Sequence, residues 1–294
     1  MSEKSFTLIE LMVVFIVVGI ISAIIYGSVT TINERAVFAK AQLFSQKLNS
    51  SLAENIAGKW DLNGDTKDLS GNGNDGAIAG TVTWDTNQIN CVFGGCATFA
   101  VGRIQIPNLT SIPGDMTFSG WFKKTTSTWA AIAFLGKRSS STGWMLYRNS
   151  GDTAGYFRWY SHYVNTSEVI STYYAWPGIY GLEVGKWYHF SVSRTAEGAT
   201  TIYVNGKITS SYAPPADFSR WSTNTYGVSI GSERSGSSSW SCTEAQIDEV
   251  IVYDAALLTA QIQENYYFGL NNLFINNQIG ESEYLSRMKT ALNE

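Results

Sequence analysis

A long apolar segment near the N-terminus places the strongest constraint on how this chain folds. No charged residue lies between Leu11 and Gly27, and the 22 residues from Phe6 to Gly27 carry a single charge, that of Glu10. At 1.5 Å per residue, a helix of that length crosses the hydrocarbon core of a bilayer, which is about 30 Å thick. The sequence therefore predicts a membrane-spanning helix at about residues 6–28.

The helical pattern continues beyond this segment. Apolar residues recur at helical spacing as far as position 56, at Ile32, Val37, Ala41, Phe44, Leu48, Leu52 and Ile56. We therefore predict one helix over residues 6–57, roughly 75 Å long at 1.5 Å per residue. A cleaved secretory signal would have a longer basic region and a small-x-small site after the apolar run, and this sequence has neither in clear form.

Glu10 is a carboxylate within an apolar segment, where an unpaired charge costs a few kcal/mol. The string KSFTLIELM that contains it, followed by aliphatic residues, closely resembles the class III signal of type IV pilins and pseudopilins. The resemblance covers about the first 30 residues. It implies a leader at residues 1–5, cleavage by a prepilin peptidase between Ser5 and Phe6, and N-methylation of Phe6. The family usually has Gly before the cut, where this chain has Ser5.

The resemblance also implies how the chain is assembled. Glu10 would pair with the amino terminus of a neighbouring subunit, so the helix would bind other pilin subunits. The precursor would reside in the inner membrane, meet an assembly platform there, and end in an extracellular filament at the cell surface.

After Gly58 the sequence changes to short β-rich segments. Every Trp lies between Trp60 and Trp240, and Asn205-Gly206 between two β segments is the strongest short hairpin signal. Many short strands without intervening helices predict a sandwich or jelly roll. The segments predicted as strands are 117–122, 132–135, 144–147, 187–194, 202–204, 207–209 and 227–230.

A second resemblance covers about Trp60 to Tyr267. The strings WDL, DLSGNGNDG, ATF, FSGWF, GKWYHF, YVNG and IDEV follow one another in the order seen in laminin-G-like, concanavalin-A-like jelly rolls. The predicted fold class is thus α+β by layout: the helix at 6–57, a jelly roll at 58–268 and a helical tail at 269–294. Within the C-terminal part, 257–267 and 282–292 are predicted to be helical.

Nothing in the sequence of the head indicates catalysis. Glucanases of this architecture place two carboxylates at alternating positions of one strand, and no Glu-x-Asp-x-Glu string occurs. Glu249 and Asp254 are too far apart in sequence, and neither His162 nor His189 has a Ser or Cys elbow nearby. We therefore predict that the chain is not an enzyme and has no catalytic residues.

A metal site is not predicted either. Asp61, Asn63 and Asp65 alternate as at the start of an EF-hand loop, but the sixth position is Thr66 and the twelfth is Asn72, so that motif fails. Oxygen ligands for a structural calcium ion are available at Asp68, Asn74, Asp75 and Asp248. Such side chains in turns more often hydrogen-bond their own backbone, so no metal and no cofactor are expected.

The three cysteines divide into a close pair, Cys91 and Cys96, and a lone Cys242. In an oxidising compartment the pair would close a small disulfide loop and leave Cys242 free. The alternative is three free thiols, since Cys is a common small buried residue. We predict the bonded pair.

One aromatic-rich region is a candidate ligand-binding surface. Sugars stack on exposed aromatic rings, and six aromatic residues occur within about 20 positions: Trp159, Tyr160, Tyr163, Tyr173, Tyr174 and Trp176. The alternative, that these rings pack between the sheets, stays open at this point. The net charge of −4 gives no reason to expect nucleic acid as a partner.

These observations favour a structural subunit of a type IV pilus-like filament whose laminin-G-like head serves adhesion or glycan binding, with surface glycans as partners. A pseudopilin of a type II secretion or DNA-uptake machine is the alternative. A membrane-tethered carbohydrate-active enzyme comes third.

Overall fold

The computed structural model describes residues 53–112, 114–126, 132–138, 142–148, 157–175, 182–232 and 242–292. They belong to one structural unit, Asn49–Glu294. The predicted leader and nearly all of the predicted N-terminal helix lie outside these residues. Within the part of the chain that is described, no helix is long and apolar enough to cross a membrane.

The described residues form fourteen strands and two α-helices, preceded by a 3-10 turn at Ala53–Asn55. The helices are α1 (Thr259–Ile275) and α2 (Glu281–Leu292). The strands are β1 (Ile56–Trp60), β2 (Ala77–Asp85), β3 (Cys96–Ile106), β4 (Met116–Lys124), β5 (Ile132–Arg138), β6 (Gly143–Arg148), β7 (Phe157–Asn165), β8 (Ile170–Ala175), β9 (Trp187–Arg194), β10 (Thr200–Val204), β11 (Lys207–Tyr212), β12 (Phe218–Trp221), β13 (Val228–Ile230) and β14 (Cys242–Tyr253).

The predicted jelly roll is confirmed. Antiparallel pairing links the strands in the order β11-β10-β9-β4-β14-β3-β13-β5-β6-β7-β12, with β1 beside β14, β2 beside β3 and β8 beside β7. The two halves of this path pack face to face, because Phe118 of β4 stacks on Trp144 of β6 and Trp159 of β7 at 5.9 and 5.7 Å between ring centroids. The core of the molecule therefore lies between two layers of sheet.

The end of the predicted N-terminal helix is wrong. Instead of helix up to Ala57, the chain makes the 3-10 turn and then enters β1, where Trp60 pairs with Val250 of β14. Trp60 is completely buried in the core, and burying so large a side chain outweighs helical spacing that ends at Ile56. The sequence pattern could not reveal this, because a partner strand nearly 200 residues away supplies the stabilisation.

The Asn205-Gly206 hairpin is confirmed. It joins β10 to β11, with Val204 paired to Lys207. Asn205 and Gly206 have φ of 51° and 74°, the left-handed backbone that a tight two-residue hairpin turn requires and that Asn and Gly adopt most readily.

Both predicted C-terminal helices are confirmed, with α1 longer than expected, so the predicted boundary at 268/269 falls inside it. Helix α1 covers the outer face of the β4 layer, where Tyr266 stacks on Trp121 at 5.7 Å. A Cβ atom at Gly269 would lie 2.4 Å from the Trp121 ring, so glycine permits this close approach. Phe274 stacks on Tyr284 at 4.8 Å and fixes α2 against α1.

Candidate functional site

The residues assigned to processing and assembly lie outside the described residues. These are Ser5, Phe6 and Glu10, and Trp176 of the aromatic group also lies outside. Their roles therefore remain predictions.

The aromatic group does not form one surface, because its members alternate along two paired strands. On β7, Trp159 and Tyr163 share one face, and the pairing of Ser161 with Tyr173 places Tyr173 of β8 on that same face. Trp159 has no exposed surface and stacks on the Phe118 and Trp144 rings. The interpretation of Trp159 as a ligand platform is therefore wrong, since a ring enclosed by the core cannot contact a sugar.

Tyr163 and Tyr173 also contact protein rings. Tyr163 stacks on Phe218 at 5.8 Å, and its hydroxyl donates to Asp217 at 2.9 Å. Tyr173 packs edge-on against Trp221 at 6.2 Å. Both rings thus close the end of the sandwich, and burial raises the pKa of each hydroxyl.

Tyr160 and Tyr174 face the opposite side. They pair directly across β7 and β8, meet edge to face at 4.9 Å, and the Tyr160 hydroxyl lies 2.9 Å from His162 Nε2. Tyr174 keeps 48% of its surface exposed. Of the described members of the aromatic group, Tyr174 offers a ring that a ligand can reach.

A disulfide joins Cys91 to Cys96, with Cα atoms 5.5 Å apart. The loop that it closes donates the backbone N–H groups of Val92 and Phe93 to the Asp248 carboxylate, at 2.8 and 3.1 Å. Asp85, Cys91 and Cys96 form the one cluster with metal-ligand spacing among the described residues, but disulfide sulfurs are not thiolate ligands.

Asp68 and Asp75, two of the residues named as possible calcium ligands, are engaged by the protein, whereas the buried Asp248 Oδ1 has no hydrogen-bond partner among the described residues. Asp68 accepts the N–H groups of Lys59, Ser70 and Asn74, and Asp75 accepts that of Asp68 at 2.8 Å. Burial alone would raise the pKa of Asp68, but these hydrogen bonds lower it. The loop is thus held together by its own carboxylates, as polar turn residues often are.

His189 does have a serine partner, contrary to the expectation from sequence. Ser119 Oγ lies 2.7 Å from His189 Nε2, because β4 and β9 are neighbours that the sequence separates by 70 residues. Both side chains are buried, and burial lowers the pKa of His189 to about 3. The pair is therefore an uncharged contact under α1.

This pair lines a cavity of about 310 Å³ under α1, here called the helix-covered cavity, which also contains Glu249 and Phe268. Glu249 has a left-handed φ of 50° where the pairing of β14 with β4 shifts register, a strained position for a residue other than glycine. Burial raises the pKa of Glu249 to about 7, against the effect of Lys59, whose Nζ is 3.9 Å from its carboxylate.

A second cavity of about 430 Å³, here called the rim cavity, opens where four strands end. Lys137 lies near the end of β5, Gly143 begins β6, Arg194 ends β9 and Trp221 ends β12. Gly143 has a φ of +96°, and a Cβ atom there would lie 1.8 Å from the carbonyl oxygen of Lys137. Only glycine allows this wall to form. The residues lining the cavity are Thr110, Ser111, Ile112, Gly114, Lys137, Gly143, Trp144, Arg194, Ala196, Arg220, Trp221, Ser222, Thr223 and Asn224.

Two buried cations face the rim cavity. Lys137 Nζ donates to the carbonyl and side-chain oxygens of Asn224, at 2.8 and 3.0 Å. Arg194 Nε donates to the Gly114 carbonyl at 3.2 Å, and its guanidinium lies 4.5 Å from the Trp221 ring centroid. Burial and the neighbouring Arg194 lower the pKa of Lys137 to about 8.

The sequence alone does not single out these two cations, although it carries one signal for Arg194. Phe190, Val192 and Arg194 alternate along β9, so Arg194 shares the face of two core residues. Nothing local identifies Lys137 as its neighbour, because 57 positions separate the two residues.

The comparisons with known proteins divide the chain into two parts. A prokaryotic N-terminal methylation motif matches residues 1–26, and the concanavalin A-like lectin/glucanases superfamily matches residues 100–263. No curated protein matches the chain.

Solved structures share the fold at low identity. Domain 4 of AbnA, an extracellular arabinanase from Geobacillus stearothermophilus solved with arabinotriose, is 20% identical with a TM-score of 0.53, over 71% of this chain and 97% of that one. The binding domain of Paraclostridial Mosquitocidal Protein 1 is 15% identical with a TM-score of 0.54, over 75% of this chain and 53% of that one. The botulinum neurotoxin serotype D ligand binding domain, solved with N-acetylneuraminic acid, is 13% identical with a TM-score of 0.52, over 75% of this chain. The chain spans about half the length of that domain, 52%.

Proposed function

The chain belongs to the concanavalin A-like lectin/glucanases superfamily, and from this premise we propose that it is a subunit of a type IV pilus-like filament whose head binds glycans. One observation carries the proposal. The superfamily domain follows a prokaryotic N-terminal methylation motif on the same chain, and that motif indicates a type IV pilin-like precursor exported to the cell surface.

A binding role without catalysis is supported by the contacts of the ionisable groups. Asp248 is held by two backbone N–H groups, and Ser119 and His189 are buried beneath α1. Two of the similar solved structures were determined with sugars, arabinotriose and N-acetylneuraminic acid. We therefore include surface glycans among the partners, beside the prepilin peptidase, the assembly platform and other pilin subunits.

Processing provides the first test. The mature protein from its native host should begin at Phe6 and carry one additional methyl group on its amine, as measured by intact mass. A mature chain that begins at Met1, or one cut after Ala23, would contradict the pilin assignment.

Assembly provides the second test. Glu10→Ala should leave the head folded yet abolish or sharply reduce incorporation into filaments, because the neighbouring amine loses its partner in an apolar bundle at a cost of roughly 3–5 kcal/mol. Glu3→Ala is the matched control, since Glu3 belongs to the leader. Normal filament yield from Glu10→Ala would remove the assembly role, and recovery of the chain only with a secretion machine would favour the pseudopilin alternative.

Glycan binding provides the third test. Purified filaments should bind on a glycan array, and Tyr174→Ala should weaken binding if this exposed ring contacts sugar, without lowering the melting temperature. Trp159→Ala should instead destabilise the head by about 3–5 kcal/mol, because Trp159 is a buried core residue. An intact wild-type head that binds no glycan would contradict the lectin role.

A further inference from the structure

The rim cavity has an exposed mouth and a buried floor. Thr110, Ser111 and Thr223 at the mouth are exposed, whereas Lys137 and Arg194 on the floor are 5% and 3% exposed. Its volume of about 430 Å³ lies in the range of pockets that hold small molecules. The cavity can therefore admit a group from solvent and bring it to the two cations.

The floor carries more positive than negative charge. An ammonium group has three N–H donors, and Asn224 accepts two of those of Lys137. No carboxylate among the described residues forms an ion pair with Lys137. Asp115 acts on Arg194, and its Oδ1 accepts the Ala196 N–H at 2.7 Å.

The third cation at this end of the sandwich is already neutralised. Arg220 binds Glu168 through two hydrogen bonds of 2.9 and 2.6 Å, a bidentate pair at the surface. The positive charge that faces the cavity therefore comes from Lys137 and Arg194.

We propose that the rim cavity binds the acidic group of a sugar, a carboxylate or a sulfate ester, between Lys137 and Arg194. The hydroxyl groups of Thr110, Ser111 and Thr223 would then meet the sugar hydroxyls at the mouth. This inference rests on the proposed glycan-binding function and names the substrate class of the head.

The electrostatics of the floor agree with this ligand. Burial lowers the pKa of Arg194 to about 9, and the pKa of Lys137 falls to about 8 through burial and through Arg194. Like charges in a low-dielectric site repel each other, and a bound anion would remove that repulsion. Arg presents a planar fork of donors and Lys a single point of charge, and both suit an oxyanion.

The test is calorimetric titration of the detergent-solubilised full chain. The ligands are trigalacturonate, its methyl ester as the neutral isostere, and a sulfated trisaccharide. We expect the wild-type chain to bind at least one acidic ligand at least tenfold more tightly than the ester. Binding of trigalacturonate would identify the acidic group as a carboxylate, and binding of the sulfated trisaccharide would identify it as a sulfate ester.

Variants locate the site. Lys137→Met should weaken binding of the acidic ligand at least tenfold, and Lys137→Arg should retain most of it. Lys123→Met is the matched control and should leave binding unchanged, because Lys123 is another partly buried lysine, placed over the Trp187 ring at 4.7 Å and bonded to a backbone carbonyl. Melting temperatures are measured for all variants.

Equal binding of ester and acid by the wild-type chain overturns the inference, as does unchanged binding by a folded Lys137→Met. If Lys137→Met does not fold, the comparison of ester with acid still decides. Binding of neutral glycans alone would reject the acidic ligand and leave the glycan-binding function intact. If the chain binds no glycan of either kind, both fail.

Discussion

The helix-covered cavity and the rim cavity differ in the sign of the charged side chains at each cavity and in the partners of those side chains. In and beside the helix-covered cavity two acidic groups have partners from the chain itself, although Asp248 Oδ1 has none among the described residues. Glu249 has Lys59 at 3.9 Å, and its neighbour Asp248 accepts two backbone N–H groups from the disulfide loop. Helix α1 lies over this cavity through Tyr266 and Phe268.

In the rim cavity the two buried groups have the same sign. Lys137 and Arg194 repel each other, the hydrogen-bond acceptors of Lys137 are the neutral oxygens of Asn224, and Asp115 acts on Arg194. Exposed hydroxyl groups, rather than a helix, surround the opening. Glu249 has Lys59 as a partner from the chain, whereas no carboxylate among the described residues pairs with Lys137. A perturbed charge that faces an open cavity without an opposite partner is suited to a ligand.

The largest effect is expected from Gly143→Ala, which breaks the wall of the rim cavity. The added Cβ atom would meet the Lys137 carbonyl at 1.8 Å and would force a left-handed residue at φ +96°. We expect a loss of roughly 3–5 kcal/mol in the free energy of unfolding, measured by denaturant titration. Gly64→Ala is the control, since Gly64 has a φ of +108° and nothing within 4 Å, so it should lose only about 1 kcal/mol. If both variants lose the same free energy of unfolding, the loss reflects backbone strain at positive φ and not the contact with the Lys137 carbonyl.

Removing the disulfide tests how Asp248 is held beside the helix-covered cavity. The double variant Cys91→Ser with Cys96→Ser should lose about 2–3 kcal/mol of stability, because the loop that carries the Val92 and Phe93 donors is no longer closed. Peptide mapping without reductant should show Cys91 linked to Cys96 and Cys242 unlinked. A peptide linked through Cys242 would replace this pairing.

Glu249→Gln tests the charge in the helix-covered cavity through pH. Because the folded-state pKa of Glu249 is raised from 4.5 to about 7, the folded protein binds more protons than the unfolded chain between these values. Stability therefore falls as pH rises from about 4.5 to 7. Glu249→Gln should lack this loss and be about 2 kcal/mol more stable than the wild type at pH 8, relative to pH 4. Parallel stability curves for the two proteins would contradict this assignment.

Lys137→Met tests the rim cavity with the opposite sign and the smallest effect. The folded-state pKa of Lys137 is lowered from 10.5 to about 8, so the unfolded chain binds more protons between pH 8 and 10.5 and stability rises with pH there. Since Lys137 faces a cavity that is open to solvent, we expect about 1 kcal/mol after screening is taken into account. Lys137→Met should lose this rise, and thermal unfolding in that pH window measures it. If the stability of the variant rises by the same amount over this pH range, another group causes the pH dependence.

The sequence by itself determined the features whose causes are local. The apolar run lies in a matched N-terminal methylation motif and predicts an assembly segment, Asn205-Gly206 fixes a hairpin, and short β-branched and aromatic runs mark most of the strands. For the aromatic-rich region of β7 and β8 the sequence does not distinguish a core from a surface, since the same composition suits both. In the structure, successive side chains of β7 and β8 point to opposite faces of the sheet. Trp159 therefore lies in the core, whereas Tyr174 is exposed.

Only the tertiary structure decided which distant residues meet. Residues 56–60 form strand β1 because they pair with β14 and because Trp60 is buried in the core. Ser119 contacts His189, and Lys137 lines the same cavity as Arg194, because the strand order of the whole sheet places these residues near each other. The physical reason is that local propensity depends on a few successive residues, whereas burial and cavity formation depend on which faces of the two layers close upon each other.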